Sequence, residues 1–199
     1  MQFKVMQYGM LGQGSSLRGV LTPDLYNALA KVTAQYGLPI EQMGQFKPSF
    51  ISQQLAVLAL MSAGYDPTQG VEMHFVNQIG ERNIIELETV DFQLDLLMNQ
   101  PMKVQRKMIE EMLGQMDSFE PMTAELITAW LSGDDATFTQ VFESQSGTSE
   151  ETLEFTRQLM DQRNVGMAEK IEAFLNTDGT YFVLSALATT WDRTTSSTC

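Results

Sequence analysis

Glu88 closes the run Ile84-Ile85-Glu86-Leu87. That β-branched run reads as a buried strand, and open α/β sheets present functional groups to a cleft at the ends of such strands. A carboxylate held there could ligate a metal or act as a general base. Its plainer role is a surface glutamate at the start of the helix that follows Thr89. Arg163-Asn164 offers a planar fork for a carboxylate or phosphate, with an adjacent amide to orient it. In a long charged helix the same pair could be solvated or tied to Asp161 or Glu169, and Arg163 could instead hold Glu88 in place. His74 is the single histidine, so it cannot alone build a multi-histidine metal site. Between Val71 and Phe75 it reads as a packed or hydrogen-bonded structural histidine.

Other patterns carry less chemistry. The fourteen methionines are scattered, and Met98, Met108, Met112 and Met116 fall at helical spacing, which points to core filling. Gly9, Gly12, Gly14 and Gly19 follow no expected strand, so they do not form a phosphate-cradling loop. Twenty-five acidic residues against twelve basic ones leave a net charge of -13, which repels nucleic acid and anionic lipid. The densest basic cluster, Lys103, Arg106 and Lys107, runs at once into Glu110 and Glu111, so no nucleic-acid partner is expected. Cys199, the one cysteine, forms no internal disulfide. Met1 to Leu11 alternates polar with apolar side chains, unlike an export signal, and the run Leu55 to Met61 is too short to span a bilayer. An export signal in a longer precursor stays compatible with this, and the compartment is left open.

The elements that would position these residues are mostly helical. Thr22-Pro23 opens a helix carrying Leu25, Leu29, Val32 and Tyr36, which Gly37 stops. A second spans Pro48 to Ser62 with Gly64 as its stop, and a third spans Val71 to Ile79. Further helices are expected over Val90 to Met98, Pro101 to Met116, Pro121 to Leu131, Thr137 to Glu143 and Glu150 to Asn176. Thr148 and Glu151 form a capping box for the last of these. Ile84 to Glu88 and Thr180 to Leu184 read as strands. Two strands do not make a sheet, so a third is expected within Met1 to Met10 or ahead of residue 1. The chain of 199 residues, 43% hydrophobic, is read as one incomplete domain over residues 1-188, with 189-199 a disordered polar tail. If both strands fail, an unrelated all-helical bundle remains.

Four elements in order resemble the TraB/GumN family, which includes the Tiki proteases. They are Gly70-Val71-Glu72-Met73-His74-Phe75, Leu87-Glu88-Thr89 with Gln93, Arg163-Asn164, and Gly179-Thr180-Tyr181-Phe182-Val183. Ala129-Trp130-Leu131-Ser132-Gly133-Asp134 is similar to a family turn, and the likeness extends upstream through Asp66-Pro67 to about Leu17. The resemblance implies a predominantly helical α/β fold related to erythromycin-esterase and ChaN-like proteins. It implies metal-dependent hydrolysis with manganese or cobalt, served by two GxxH motifs. It makes Glu88, Arg163 and Asn164 the candidate catalytic residues, and Glu72, His74 and Gln93 cleft or structural ones. It also requires Glu88 and Arg163 to line one pocket.

The departures from the family decide the expected activity. Neither GxxH motif is present, and where the second should follow Val183 the chain reads Leu184-Ser185-Ala186-Leu187-Ala188-Thr189-Thr190. The first would lie ahead of residue 1 in a chain truncated at its N-terminus. A shifted reading frame accounts for the second: if Leu187 to Asp192 were encoded CTG GCC ACT ACG TGG GAC, the frame from the third base reads Gly-His-Tyr-Val-Gly. The chain is then expected to bind no metal and to be catalytically silent, although its parent acts on a peptide or small molecule. The rival reading is a non-enzymatic regulatory protein that binds a peptide or other partner. Self-association through an exposed sheet edge is a further expectation.

Overall fold

The computed structural model describes residues 2–144 and 147–185. In order these contain α1 (Gln2–Gly9), α2 (Leu17–Val20), α3 (Pro23–Gln35), α4 (Pro48–Ser62), α5 (Val71–Val76), α6 (Val90–Met98), α7 (Met102–Ser132), α8 (Asp135–Ser144), α9 (Glu150–Arg157) and α10 (Arg163–Leu175). Short 3-10 turns occupy Ile40–Met43 and Pro67–Gln69, and a π turn, Gln158–Gln162, joins α9 to α10.

Local chemistry sets several of these boundaries. Thr22 Oγ1 accepts from Leu25 N at 3.3 Å and Pro23 follows, so α3 starts where an orphan donor is satisfied and φ is already helical. Gly37, at φ +71, takes the left-handed geometry that ends it. α4 is apolar on most of its surface and runs through the middle of the main core. Its Phe50, Ile51 and Leu55 meet Leu17, Leu29, Ile40, Met98 and Ile109. The Phe50 ring lies where a Cβ on Gly9 would be, so the end of α1 reaches α4 only because residue 9 has no side chain.

Polar links tie the same helices together. Lys47 N donates to Gly9 O at 2.7 Å, and its Nζ donates to Tyr8 O at 2.7 Å and to Asn99. Burial pulls the Lys47 ammonium below its ordinary pKa, against an opposing pull from Asp95. Deeper in, Ser49 Oγ donates to Gln105 Oε1 at 3.0 Å, and Gln105 Nε2 donates to Gln100 O at 2.7 Å. This buried pair joins the starts of α4 and α7, because a core amide must find partners.

Several expectations are corrected. Ile84 to Glu88 and Thr180 to Leu184 are not strands. The β pairing found among the described residues is one isolated antiparallel bridge, Met10 to Phe46. β-branched and aromatic residues favour a strand only where a neighbouring strand receives them, and here Ile84 is 62% and Phe182 73% exposed. The described residues therefore form a predominantly helical structure in which the α/β character and the sheet edge expected to promote self-association are not formed. The described part of the expected Met1 to Met10 strand, residues 2–10, supplies no third strand either. It contains α1, whose Val5 and Tyr8, one turn apart, pack on the core.

The two helices expected between Pro101 and Leu131 are the single α7. Pro121 deletes one helical donor without ending the helix. α5 stops at Val76, short of Ile79. The helix expected over Glu150 to Asn176 is interrupted by the π turn, and its capping box is Ser149 with Thr152, one residue beyond the expected Thr148 and Glu151. The expected tail, 189-199, and most of the proposed frame-shifted stretch lie outside the described residues. No helix among the described residues is long and apolar enough to cross a membrane.

Candidate functional site

Glu88 sits one residue ahead of the cap of α6. Thr89 Oγ1 accepts from Phe92 N at 3.2 Å, and this places the Glu88 carboxylate near the positive end of that helix. Gln93, at the first turn of α6, donates from Nε2 to Glu88 Oε2 at 3.3 Å. From the other side comes Arg163, the first residue of α10, immediately after the π turn. Single-turn π insertions are frequent at functional sites, where the extra residue rotates the next turn of helix to a new direction.

Arg163 Nε lies 2.9 Å from both Glu88 oxygens, and Nη2 lies 2.5 Å from Oε2. The side chains are 15% (Arg163) and 7% (Glu88) exposed, so solvent screens the pair weakly. Burial pushes the Glu88 pKa up. The Arg163 hydrogen bonds and charge outweigh this, with help from Gln93 and Lys170, and hold it below its ordinary value. Glu88 is thus kept ionised and pointed.

The structure therefore brings together Glu88, Arg163 and Gln93. Asn164 follows Arg163 on α10, and its Oδ1 is buried without a hydrogen-bond partner. Such an orphan acceptor is costly in a folded protein and invites a donor from a ligand. Glu72 and His74 are not part of the cluster. Both are exposed on α5, where His74 Nε2 is 2.7 Å from Gln78 Nε2 and its ring meets Phe75 edge-on at 5.5 Å. His74 is thus hydrogen-bonded, as expected, but at the surface.

A divalent manganese or cobalt ion would need several convergent imidazole or carboxylate donors. Among the described residues no three His, Cys, Asp or Glu side chains converge. Both oxygens of the one carboxylate in the cluster already face a guanidinium. These side chains do not fit such an ion.

Two polar anchors, one at this cluster and one apart from it, were not singled out from sequence. Lys170 Nζ donates to Leu87 O at 2.5 Å and anchors the segment that carries Glu88. It lies seven residues after Arg163, hence on the same face of α10, and that spacing is the signal that could have found it. Glu111 on α7 accepts from Thr148 Oγ1 at 3.0 Å and from Ser149 N at 2.9 Å, fastening the start of α9. Burial raises the Glu111 pKa, but hydrogen bonds from Thr152, Ser149 and Thr148 more than reverse this and leave it lowered.

No curated protein and no solved structure gives a significant match to the chain. The model of the TraB/PrgY/gumN family does match, over residues 1–185, a span that contains Glu88, Gln93, Arg163, Asn164 and Lys170. With nearly the whole length matched, the chain belongs to the TraB/PrgY/gumN family.

Proposed function

We propose that this chain carries the carboxylate and guanidinium half of a Tiki-type hydrolytic cleft, on a framework related to erythromycin-esterase and ChaN-like proteins, and that it binds a peptide-like ligand there without hydrolysing it. The observation that supports this is the fixed Glu88–Arg163 pair, with the next residue of α10, Asn164, carrying a buried and unpartnered Oδ1. A carboxylate with lowered proton affinity is a weak general base, so Glu88 serves as an oriented charge and Arg163 keeps it in register. Asn164 Oδ1 is then free to accept a backbone N–H or amine of the ligand. Metal-dependent proteolysis of the Tiki type would need imidazoles in the cleft, and the one histidine of the chain is on α5, hydrogen-bonded to Gln78.

The test is peptide hydrolysis by the purified chain with added manganese or cobalt. No turnover is the expected result. Metal-stimulated turnover abolished by Glu88→Ala would overturn the reading.

A further inference from the structure

A second feature does not include Glu88, Arg163 or Asn164. Met108, Met112, Phe119 and Met122 of α7 face Phe155 of α9 and Met160 of the π turn across a groove of about 360 Å³. Five of these side chains are half-buried, and only Phe155 is fully buried. Their positions on α7 recur at helical spacing, so the apolar stripe runs along the groove. Four unbranched, polarizable thioethers make a lining that adapts to its occupant. Charge narrows what that occupant can be. From Met108 to Asp161 the chain has twelve carboxylates and a single base, Arg157; Arg157 pairs with Glu154, and Lys107 and Lys103 just ahead pair with Glu110 and Glu151, which leaves the carboxylates in large excess. One of the twelve, Glu111, lines the groove.

We propose that this groove seats the apolar face of a cationic amphipathic helix from a peptide or another protein. Helix-in-groove recognition supplies the apolar contact, and the acidic surroundings select lysine or arginine on the flanks and speed encounter. A fatty acid or anionic lipid would meet the same apolar lining with its charge repelled.

The experiment uses the full chain labelled at methionine methyl groups and followed by NMR. It is titrated with a synthetic amphipathic helix of leucine and lysine, and in parallel with the same helix bearing glutamate for lysine. The expected result is movement of the Met108, Met112, Met122 and Met160 signals, with those of the core residues Met43 and Met98 unmoved. Affinity should fall as salt is added, and the glutamate helix should not bind. Glu120, Glu125 and Glu143 are exposed, and replacing all three with glutamine should weaken binding roughly tenfold with the fold intact. Met122→Gln should weaken binding independently. Equal binding of the glutamate helix, displacement by dodecanoate, or an affinity untouched by the triple substitution would overturn the proposal.

Discussion

Arg163 and Glu88 lie 75 positions apart in sequence and meet through a guanidinium that faces both carboxylate oxygens. The pair ties the irregular segment ahead of α6 to the first turn of α10, and Lys170 reinforces the tie by reaching the carbonyl of Leu87. Neither Ile84 nor Ile85 helps to anchor that segment, since both are more than half exposed. Its position thus depends on polar contacts.

Removing one partner should therefore cost more than a surface ion pair would. Glu88→Ala leaves a guanidinium with little access to water and should lower unfolding free energy by about 3 kcal/mol in urea titrations. Arg163→Lys keeps the charge but loses the fork, and should fall between wild type and Glu88→Ala. The double substitution should cost well under the two single losses combined. A strictly additive result would show that the two groups do not interact.

Acid should weaken the fold in a defined window. The Glu88 pKa is held below its ordinary 4.5, so its contribution is fully present above about pH 4.5 and is lost as pH falls through the lower, folded-state value. Glu111, also lowered, acts in the same direction. The urea midpoint should drop below pH 4.5, and Glu88→Gln should flatten part of that drop while starting lower at neutral pH.

Ser49 and Gln105 make a separate prediction within the core. Gln105→Leu removes the nearer acceptor of the buried Ser49 hydroxyl, leaving it Met98 O at 3.4 Å, and also removes the acceptor of Ser49 N, and should cost about 2 kcal/mol. Adding Ser49→Ala should recover part of the loss, because an apolar pair leaves no buried hydroxyl with only the long Met98 contact. A double variant less stable than Gln105→Leu alone would contradict that account.

Asn164 should behave in the opposite way. Its buried amide oxygen has no partner, so Asn164→Leu is expected to raise the stability of the ligand-free chain by about 1 kcal/mol. The same substitution should abolish stabilisation by any ligand bound at the proposed Glu88–Arg163 site, as read by thermal shift. Destabilisation by leucine would make Asn164 a structural residue.

Sequence alone is a good guide wherever local chemistry decides the outcome. α4 and α6 run as expected, from Pro48 to Ser62 and from Val90 to Met98, because their starts and stops are written in proline, a cap hydroxyl and glycine. The all-helical alternative comes closer to the architecture than the α/β one, although the family assignment holds. Ile84-Ile85 and Tyr181-Phe182-Val183 look like strands from composition, and composition does not reveal whether a pairing edge is near. Pro121 reads as a helix start, but within α7 neighbouring turns and the packing of α8 and α9 outweigh one lost donor. At the site, the meeting of Glu88 with Arg163 is legible from the family pattern. Lys170 is not, because its role is to grip a main-chain carbonyl, and any lysine on that face could do so. Methionine spacing points to core filling. That holds for Met98 and for Met112, which packs on the core while also lining the groove, but Met122 lines the open groove, a distinction that depends on which helices α7 meets along its length.

α7 has 31 residues, roughly 46 Å of continuous helix, and it serves two separate neighbourhoods. The main core includes Ile109 and ends on α7 at Leu113, whereas α8 and α9 pack on α7 outside that core. One rod thus belongs to two packing units of unequal depth. Amide protons of its first three turns should exchange with deuterium only when the whole molecule opens, while those beyond Gly114 should exchange through a cheaper, partial opening that leaves the amino-terminal helices closed.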